Sequence, residues 1–147
     1  MKFYFFLEDI AALEQMIKNL HTKIKELGKE QGEAARQSTE NFGHDDACQE
    51  AIYQERGIVT AQLNDLQKIF NNAAVVRSEG CSNAARMGTI IELSNGRTFQ
   101  IGSFMVFADS PITNISYNSP LGKVLIGKHE GDKIEFRKQI FTIKHLR

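Results

Sequence analysis

The chain has 147 residues with 18 basic and 18 acidic side chains, so its formal net charge is zero. The length fits one ordinary domain or two small ones, and 41% hydrophobic with 24% charged residues is typical of a folded globular protein. No apolar stretch approaches the roughly 18 residues that would span a bilayer. A balanced charge also disfavours broad binding to nucleic-acid backbone, which needs a basic surface.

The two cysteines, Cys48 and Cys81, do not make a disulfide framework. They belong to no Cys-x-x-Cys or Cys/His spacing that is typical of a zinc site. We therefore expect a reduced, cytoplasmic protein with no membrane association and no independent DNA binding.

The zero net charge hides an asymmetry between two parts of the chain. Residues 1–75 carry 8 basic and 12 acidic side chains, whereas residues 76–147 carry 10 basic and 6 acidic ones. Both prolines, Pro111 and Pro120, fall in the second part. We therefore predict two domains, 1–75 and 76–147, joined by an entry loop around 78–83.

The first part shows two series of residues spaced alternately by three and four, the pattern of a coiled-coil seam. One comprises Ile10, Leu13, Ile17, Leu20, Ile24 and Leu27, and the other Ile52, Arg56, Val59, Leu63, Leu66, Phe70 and Ala73. A short connection makes neighbouring helices antiparallel, so we predict a helical hairpin whose end lies near 41–46. Gly28, Gly32 and Gly57 lie inside these helices and mark either close helix approach or tolerated weakness.

The end of the hairpin carries adjacent carboxylates. Asp46, with Gln49 three residues on, has capping-box spacing, which leaves the neighbouring Asp45 carboxylate free. Such an acidic end serves the helix dipole, or donates a carboxylate to a metal ion in another protein's active site. It cannot make a metal site alone, because Mg²⁺ bound through one or two carboxylates needs further ligands.

Two more residues near the hairpin end have alternative interpretations. Phe42 either folds back against the hairpin or packs on a partner. His44 either relays a proton or is a solvated loop residue.

The second part reads as a small sheet with one helix, hence an α+β class with a curved antiparallel sheet. Ser119 and Pro120 have the residue types of a helix cap and first helical position, and Gly127 has that of a helix end. The predicted strands are Gly88–Leu93, Arg97–Ile101, Asn114–Tyr117, Lys133–Arg137 and Gln139–Leu146, with a hairpin turn at Asn95-Gly96.

The run from Ser119 to Lys128, Ser-Pro-Leu-Gly-Lys-Val-Leu-Ile-Gly-Lys, followed by Gly131-Asp132, closely resembles the C-terminal signature of the GreA/GreB transcript-cleavage factors. The resemblance implies an N-terminal antiparallel coiled coil followed by an FKBP-like domain. It implies a factor that binds RNA polymerase and is not itself an enzyme. The C-terminal domain would dock at the rim of the secondary channel, and the hairpin would reach down it toward the RNA 3′ end.

The resemblance also implies site residues. The family's tip pattern, Asp-Leu-x-Glu-Asn-Ala, anchored on Ala47, places Asp45 at the glutamate, Asp46 at the asparagine and Phe42 at the first acid. Asp45 and Asp46 would then act in trans, with Asp45 as a ligand of a Mg²⁺ shared with the polymerase. The implied tip contacts are Glu40, Phe42 and His44, and the implied docking residues are Ser119, Pro120, Leu121, Lys123 and Lys128.

Phe42 at an acid position leaves the activity open between stimulation of RNA cleavage and occupation of the same channel as an inhibitor. A coiled-coil adaptor without a polymerase role is a further alternative, as is a prolyl isomerase suggested by the FKBP-like fold. The chain is expected to be a monomer or a weak dimer.

Overall fold

The computed structural model describes residues 1–40, 46–77, 82–107 and 110–147, without the side chains of residues 34, 37–40, 46 and 47. The described chain divides into two compact units, one formed by Ala12–Asn72 and the other by Met1–Ala11 with Ala73–Arg147. We call them the hairpin unit and the C-terminal unit. Within the described ranges, no helix combines the length and apolarity that a bilayer crossing requires.

The hairpin unit is built from two long helices, α1 (Leu7–Glu40), whose residues 7–11 belong to the C-terminal unit, and α2 (Asp46–Asn71). The two helices contain the predicted seams except for Ala73, which lies in a strand after α2. Glu8 and Asp9 lie in the first turn of α1, where acids suit the helix dipole. Every residue of the predicted α1 seam is buried or half-buried. In α2, Val59 and Leu63 are buried, which confirms the second seam at its centre.

Polar contacts between the helices show that they run antiparallel. Arg56 on α2 donates to Gln31 on α1 over 3.1 Å, whereas Gln67, further along α2, lies 3.3 Å from His21, earlier on α1. Arg56, the charged residue of the second seam, is exposed, so it borders the seam instead of interrupting its buried part.

The helix glycines do not mark a close approach of the two helices. A Cβ built at Gly32 or Gly57 would meet no atom within 4 Å, and one at Gly28 would lie 3.9 Å from the Arg56 guanidinium. These glycines are therefore a tolerated weakness in the helices, since nothing in the packing requires the missing side chain.

The C-terminal unit begins with the first residues of the chain. Strand β1 (Phe3–Phe5) pairs in parallel with β2 (Ala73–Val75), the strand that follows α2 directly. The Phe104 N–H donates to the Tyr4 carbonyl over 2.9 Å, which attaches β1 to the rest of the unit. The structure therefore groups residues 1–11 with the C-terminal unit, whereas the sequence analysis placed them in a hairpin domain of residues 1–75.

The remaining strands form one sheet in the order β5-β4-β3-β7-β6. Its members are β3 (Ile90–Leu93), β4 (Thr98–Gly102), β5 (Thr113–Ser116), β6 (Lys133–Phe136) and β7 (Gln139–Leu146). All five were predicted, and the α+β class is confirmed. The prediction of an antiparallel sheet is wrong at one edge, where β5 runs parallel to β4, because the connection from β4 returns the chain before β5 begins.

Helix α3 (Pro120–Leu125) covers one face of this sheet and supplies Leu125 to its core. Ile91, Ile101 and Leu125 are fully buried in that core. The turn between β3 and β4 forms where Asn95-Gly96 predicts it, but only Gly96 has a positive φ, of 79°. The connection is therefore longer than two residues, and the Leu93 N–H meets the Arg97 carbonyl at 2.9 Å across it.

Candidate functional site

The first candidate site, the acidic end of the hairpin, falls between α1 and α2. Phe42, His44 and Asp45 lie outside the described residues, as do the side chains of Glu40 and Asp46. The helix bounds agree with a hairpin end near 41–46, because α1 ends at Glu40 and α2 begins at Asp46. The roles predicted for these side chains stay predictions.

The start of α2 bears on the capping argument. Asp46 is the first helical residue, whereas a capping residue stands one position before the helix. The helix therefore begins one residue earlier than a cap at Asp46 requires. The proposal that the Asp45 carboxylate is free then depends on the family tip pattern and not on capping.

The described residues around the hairpin end offer no metal site of their own. Cys48 is a free, exposed thiol in the first turns of α2. Across the described ranges, no three His, Cys, Asp or Glu side chains converge on a point that could hold a metal ion. Carboxylate oxygens suit Mg²⁺, but one or two of them at the hairpin end need ligands from a partner.

The second candidate site is the Ser119–Lys128 segment, and side-chain hydrogen bonds of Ser119 stabilise its first turn. Ser119 is the N-cap of α3, with extended backbone at φ −66° and ψ 156°, and Pro120 follows at the first helical position. The Ser119 hydroxyl accepts from the Gly122 N–H at 3.0 Å and donates to the Ser116 carbonyl at 2.7 Å. One side chain thus satisfies a free amide of the helix and ties the helix to the end of β5.

Gly122 is required by close packing under that turn. A Cβ at this position would lie 2.2 Å from the Ser116 carbonyl oxygen and 3.0 Å from the Ser119 Oγ. The first of these distances is shorter than real Cβ contacts, and the opposing atom belongs to the backbone. Helix α3 therefore approaches β5 so closely that only glycine fits.

Backbone hydrogen bonds join the C-terminal end of this segment to Ala85, which precedes β3. Gly127 has a φ of 79°, which ends the helix in the left-handed conformation that glycine favours. The Gly127 N–H donates to the Ala85 carbonyl over 2.8 Å, and the Ala85 N–H donates to the Lys128 carbonyl over 2.7 Å.

The structure divides the predicted docking residues into two groups. Ser119 caps the helix, Leu121 packs against the core and Lys128 is half-buried. Pro120 and Lys123 are exposed and free to meet a partner. Ile126, three residues after Lys123, is 39% exposed.

A cavity of about 560 Å³ opens on the opposite face of the sheet, within the C-terminal unit. Gln100 and Gly102 line its floor, whereas Phe99 and Ile101, which alternate with them, face the core. Asp9 forms part of the wall and accepts from the fully buried Ser103 hydroxyl, which also accepts from the Phe6 N–H at 2.9 Å. Sequence reasoning missed this cavity because its lining comes from the start of α1, from β2 and from the sheet, which are far apart in the sequence.

Comparisons with known proteins agree with this architecture. The fold matches the crystal structure of Gfh1, GreA factor homolog 1, from Thermus thermophilus with a TM-score of 0.50 at 22% identity, covering 100% of this chain and 99% of that one. The sequence is 30% identical over 135 residues to the transcription elongation factor GreA of Staphylococcus carnosus, which covers 86% of this chain and 81% of the relative. The chain belongs to the GreA/GreB family.

Other relatives place it among divergent members of the GreA/GreB family. It is 26% identical over 128 residues to the transcription inhibitor protein Gfh1 of Thermus aquaticus, covering 83% of this chain and 81% of that protein. The match to GreA of Mesomycoplasma hyopneumoniae has 27% identity and spans only about half, 54%, of that relative's length. No protein-family model matches the chain.

The capping geometry of this GreA/GreB member gives a direct prediction. Ser119→Ala removes both hydrogen bonds of the hydroxyl, so it is expected to lower the free energy of unfolding by about 1 kcal/mol. Thermal unfolding of the two proteins measures the difference. Ser119→Asp keeps a capping acceptor and is expected to recover part of the loss; equal stability of wild type and Ser119→Ala would contradict the role of the cap.

Proposed function

We propose that this chain binds RNA polymerase and places the end of its helical hairpin in the secondary channel, where it promotes cleavage of backtracked RNA by the polymerase itself. In this proposal the chain is a cofactor of the polymerase and not an enzyme. The observation that carries the proposal is the 30% identity to a GreA elongation factor over 81% of that protein's length.

The helical hairpin supports this proposal by its dimensions. Helix α1 has 34 residues, which at 1.5 Å per residue makes it about 50 Å long. A hairpin of this length can carry a carboxylate at its end about 50 Å from the first residue of α1. The hairpin end is also where the sequence holds Asp45 and Asp46.

In the proposed reaction, Asp45 contributes one oxygen ligand to a Mg²⁺ that is held mainly by the polymerase. That ion supplies Lewis-acid stabilisation of the phosphate oxygens in a two-metal hydrolysis. The contribution of this chain is the position and the charge of the carboxylate.

The second candidate function is inhibition by occupation of the same channel. Two observations favour it, namely Phe42 at the position of the first acid and the 26% identity to the Gfh1 inhibitor over 81% of its length. Loss of one metal ligand would weaken transition-state stabilisation while leaving the docking surface intact.

One experiment separates the two candidates. The purified chain is added with Mg²⁺ to stalled, backtracked polymerase complexes, and the RNA 3′ end is followed for shortening. Cleavage supports the elongation-factor proposal. No cleavage, together with loss of the activity of added GreA, supports the inhibitor. If the chain neither stimulates cleavage nor blocks added GreA, both candidate functions are contradicted. That result would favour a coiled-coil adaptor without a polymerase role.

The exposed cation on α3 gives a prediction about docking. Lys123→Glu is expected to slow association with RNA polymerase several-fold and to reduce the dependence of binding on salt, because exposed interfacial charges act mainly on the association rate. Lys144→Glu, an equal charge change at an exposed position on β7, is the matched control. Association kinetics over a range of salt concentrations measure both variants, and equal slowing by the two would contradict a specific role for Lys123. Arg97, Lys128 and Lys133 are the other basic candidates.

A further inference from the structure

The turn between β6 and β7 holds two cationic residues in a conformation that side chains rarely adopt. Phe136 pairs with Gln139, so Arg137 and Lys138 form a two-residue connection. Their φ angles are 52° and 62°. Positive φ at both central residues is the signature of a type I′ turn, which favours Asn-Gly because of its backbone geometry.

In the other antiparallel hairpin of the same sheet, the turn carries the residue types that positive φ favours. Between β3 and β4, the single left-handed position is filled by Gly96, and the Asn95 side chain accepts from the Arg97 N–H at 3.0 Å. Nothing in the packing of the β6–β7 turn calls for long side chains, since Arg137 and Lys138 are both exposed. The connection requires positive φ at both positions, but it does not require these two residue types, and non-glycine residues in the left-handed region are uncommon and cluster at functional sites.

The residues around the turn make a surface of defined chemistry. The Arg137 guanidinium lies 5.3 Å from the centre of the Phe136 ring, which holds the cation at the turn. Within the described ranges, neither Arg137 nor Lys138 forms an ion pair with an acidic side chain. Ile140, two residues further on, is 70% exposed. We call Arg137, Lys138 and Ile140 the turn patch.

We propose that the turn patch is a second docking surface, which binds an acidic and partly apolar protein surface on RNA polymerase. This inference rests on the proposed function and adds a contact separate from α3. Exposed Ile140 favours a protein partner, because contacts to a phosphate backbone need cations and gain nothing from an isoleucine.

The conformation of the turn makes the proposal sharply testable. The double variant Arg137→Asn/Lys138→Gly gives the turn its preferred residues while removing both cations. It is expected to raise the melting temperature by roughly 3 °C. It is also expected to weaken binding of the full chain to purified RNA polymerase core enzyme by about tenfold. A protein that is more stable but binds more weakly is the result that a structural role for these residues would not produce.

Two further variants separate charge from apolar contact. Arg137→Glu/Lys138→Glu reverses the charge in the same turn and is expected to weaken binding more than the Asn-Gly variant does. Ile140→Thr keeps a β-branched residue in the strand and is expected to weaken binding about threefold with unchanged melting temperature.

The outcomes are distinguishable. Wild-type affinity for polymerase in all three variants overturns the turn patch and leaves the proposed function standing. Failure of the wild-type chain itself to bind polymerase contradicts the proposed function and the turn patch with it. Binding of a labelled RNA or DNA duplex by the wild type that is lost in Arg137→Glu/Lys138→Glu, with unchanged polymerase binding, assigns the patch to nucleic acid and overturns the protein partner.

Discussion

Replacing Gly122 by alanine is expected to destabilise the C-terminal unit by about 3 kcal/mol, a large effect for a single methyl group. The added Cβ would lie 2.2 Å from the Ser116 carbonyl oxygen, and neither α3 nor β5 moves without disturbing the core that Leu125 completes. We expect the melting temperature to fall by roughly 10 °C or more. Thermal unfolding followed by circular dichroism measures the change.

Gly32→Ala is the matched control for this substitution. A Cβ at Gly32 meets nothing within 4 Å, so alanine there is expected to stabilise helix α1 by up to about 1 kcal/mol. The same chemical change should therefore act in opposite directions at the two positions. Destabilisation of similar size in both variants would contradict the assignment of a close approach to Gly122 alone.

Asp45→Ala is expected to reduce stimulated RNA cleavage by roughly 100-fold if the chain acts as a cleavage factor, because a metal ligand contributes several kcal/mol to the transition state. Binding to polymerase is expected to be unchanged, since the residues proposed to dock, Pro120 and Lys123, lie in the C-terminal unit. Asp46→Ala is the neighbouring control, with a smaller expected effect. Wild-type cleavage by the Asp45 variant would contradict the carry-over of the family tip pattern.

Phe42→Asp tests the other acid position of the same pattern. It restores the residue type that the family places there and is expected to raise cleavage about tenfold, or to convert an inhibitor into a weak stimulator. Single-turnover cleavage of backtracked RNA measures the change. A variant with unaltered activity would show that Phe42 does not occupy the position of the missing acid.

Much of the fold was predictable because its signals are local. The seam from Ile10 to Leu27 repeats for nearly three heptads, and such periodicity has few alternative explanations. The Ser119-Pro120 pair predicted the start of α3 because a hydroxyl cap and a proline at the first helical position have a direct physical cause.

The missed elements depend on residues far apart in sequence. Strand β1 pairs with β2 across the whole helical hairpin, Phe3 facing Ala73, and a three-residue strand carries no periodic signal of its own. The parallel pairing of β4 with β5 was missed for a related reason, since strand direction depends on the route of the connection and not on the strand residues. The domain boundary followed the composition of the chain, which does not reveal that its first residues return to the C-terminal unit.

The candidate site was predictable only in part. The exposure of Pro120 and Lys123 agrees with docking roles, but Leu121 resembles them in the motif and packs in the core. A sequence motif contains both residues that pack in the core and residues that can contact a partner. Their burial in the structure distinguishes the two groups. The tip is the opposite case, since its assignment to Asp45 depends on the family pattern alone.

The measurement that tests the central claim most directly is physical association with RNA polymerase. The full chain is mixed with purified polymerase core enzyme at low salt and passed over a size-exclusion column, with GreA added as competitor in a parallel run. We expect the chain to elute with the polymerase and to be displaced by GreA. Elution of the chain as a separate peak, with GreA bound normally under the same conditions, would contradict that expectation.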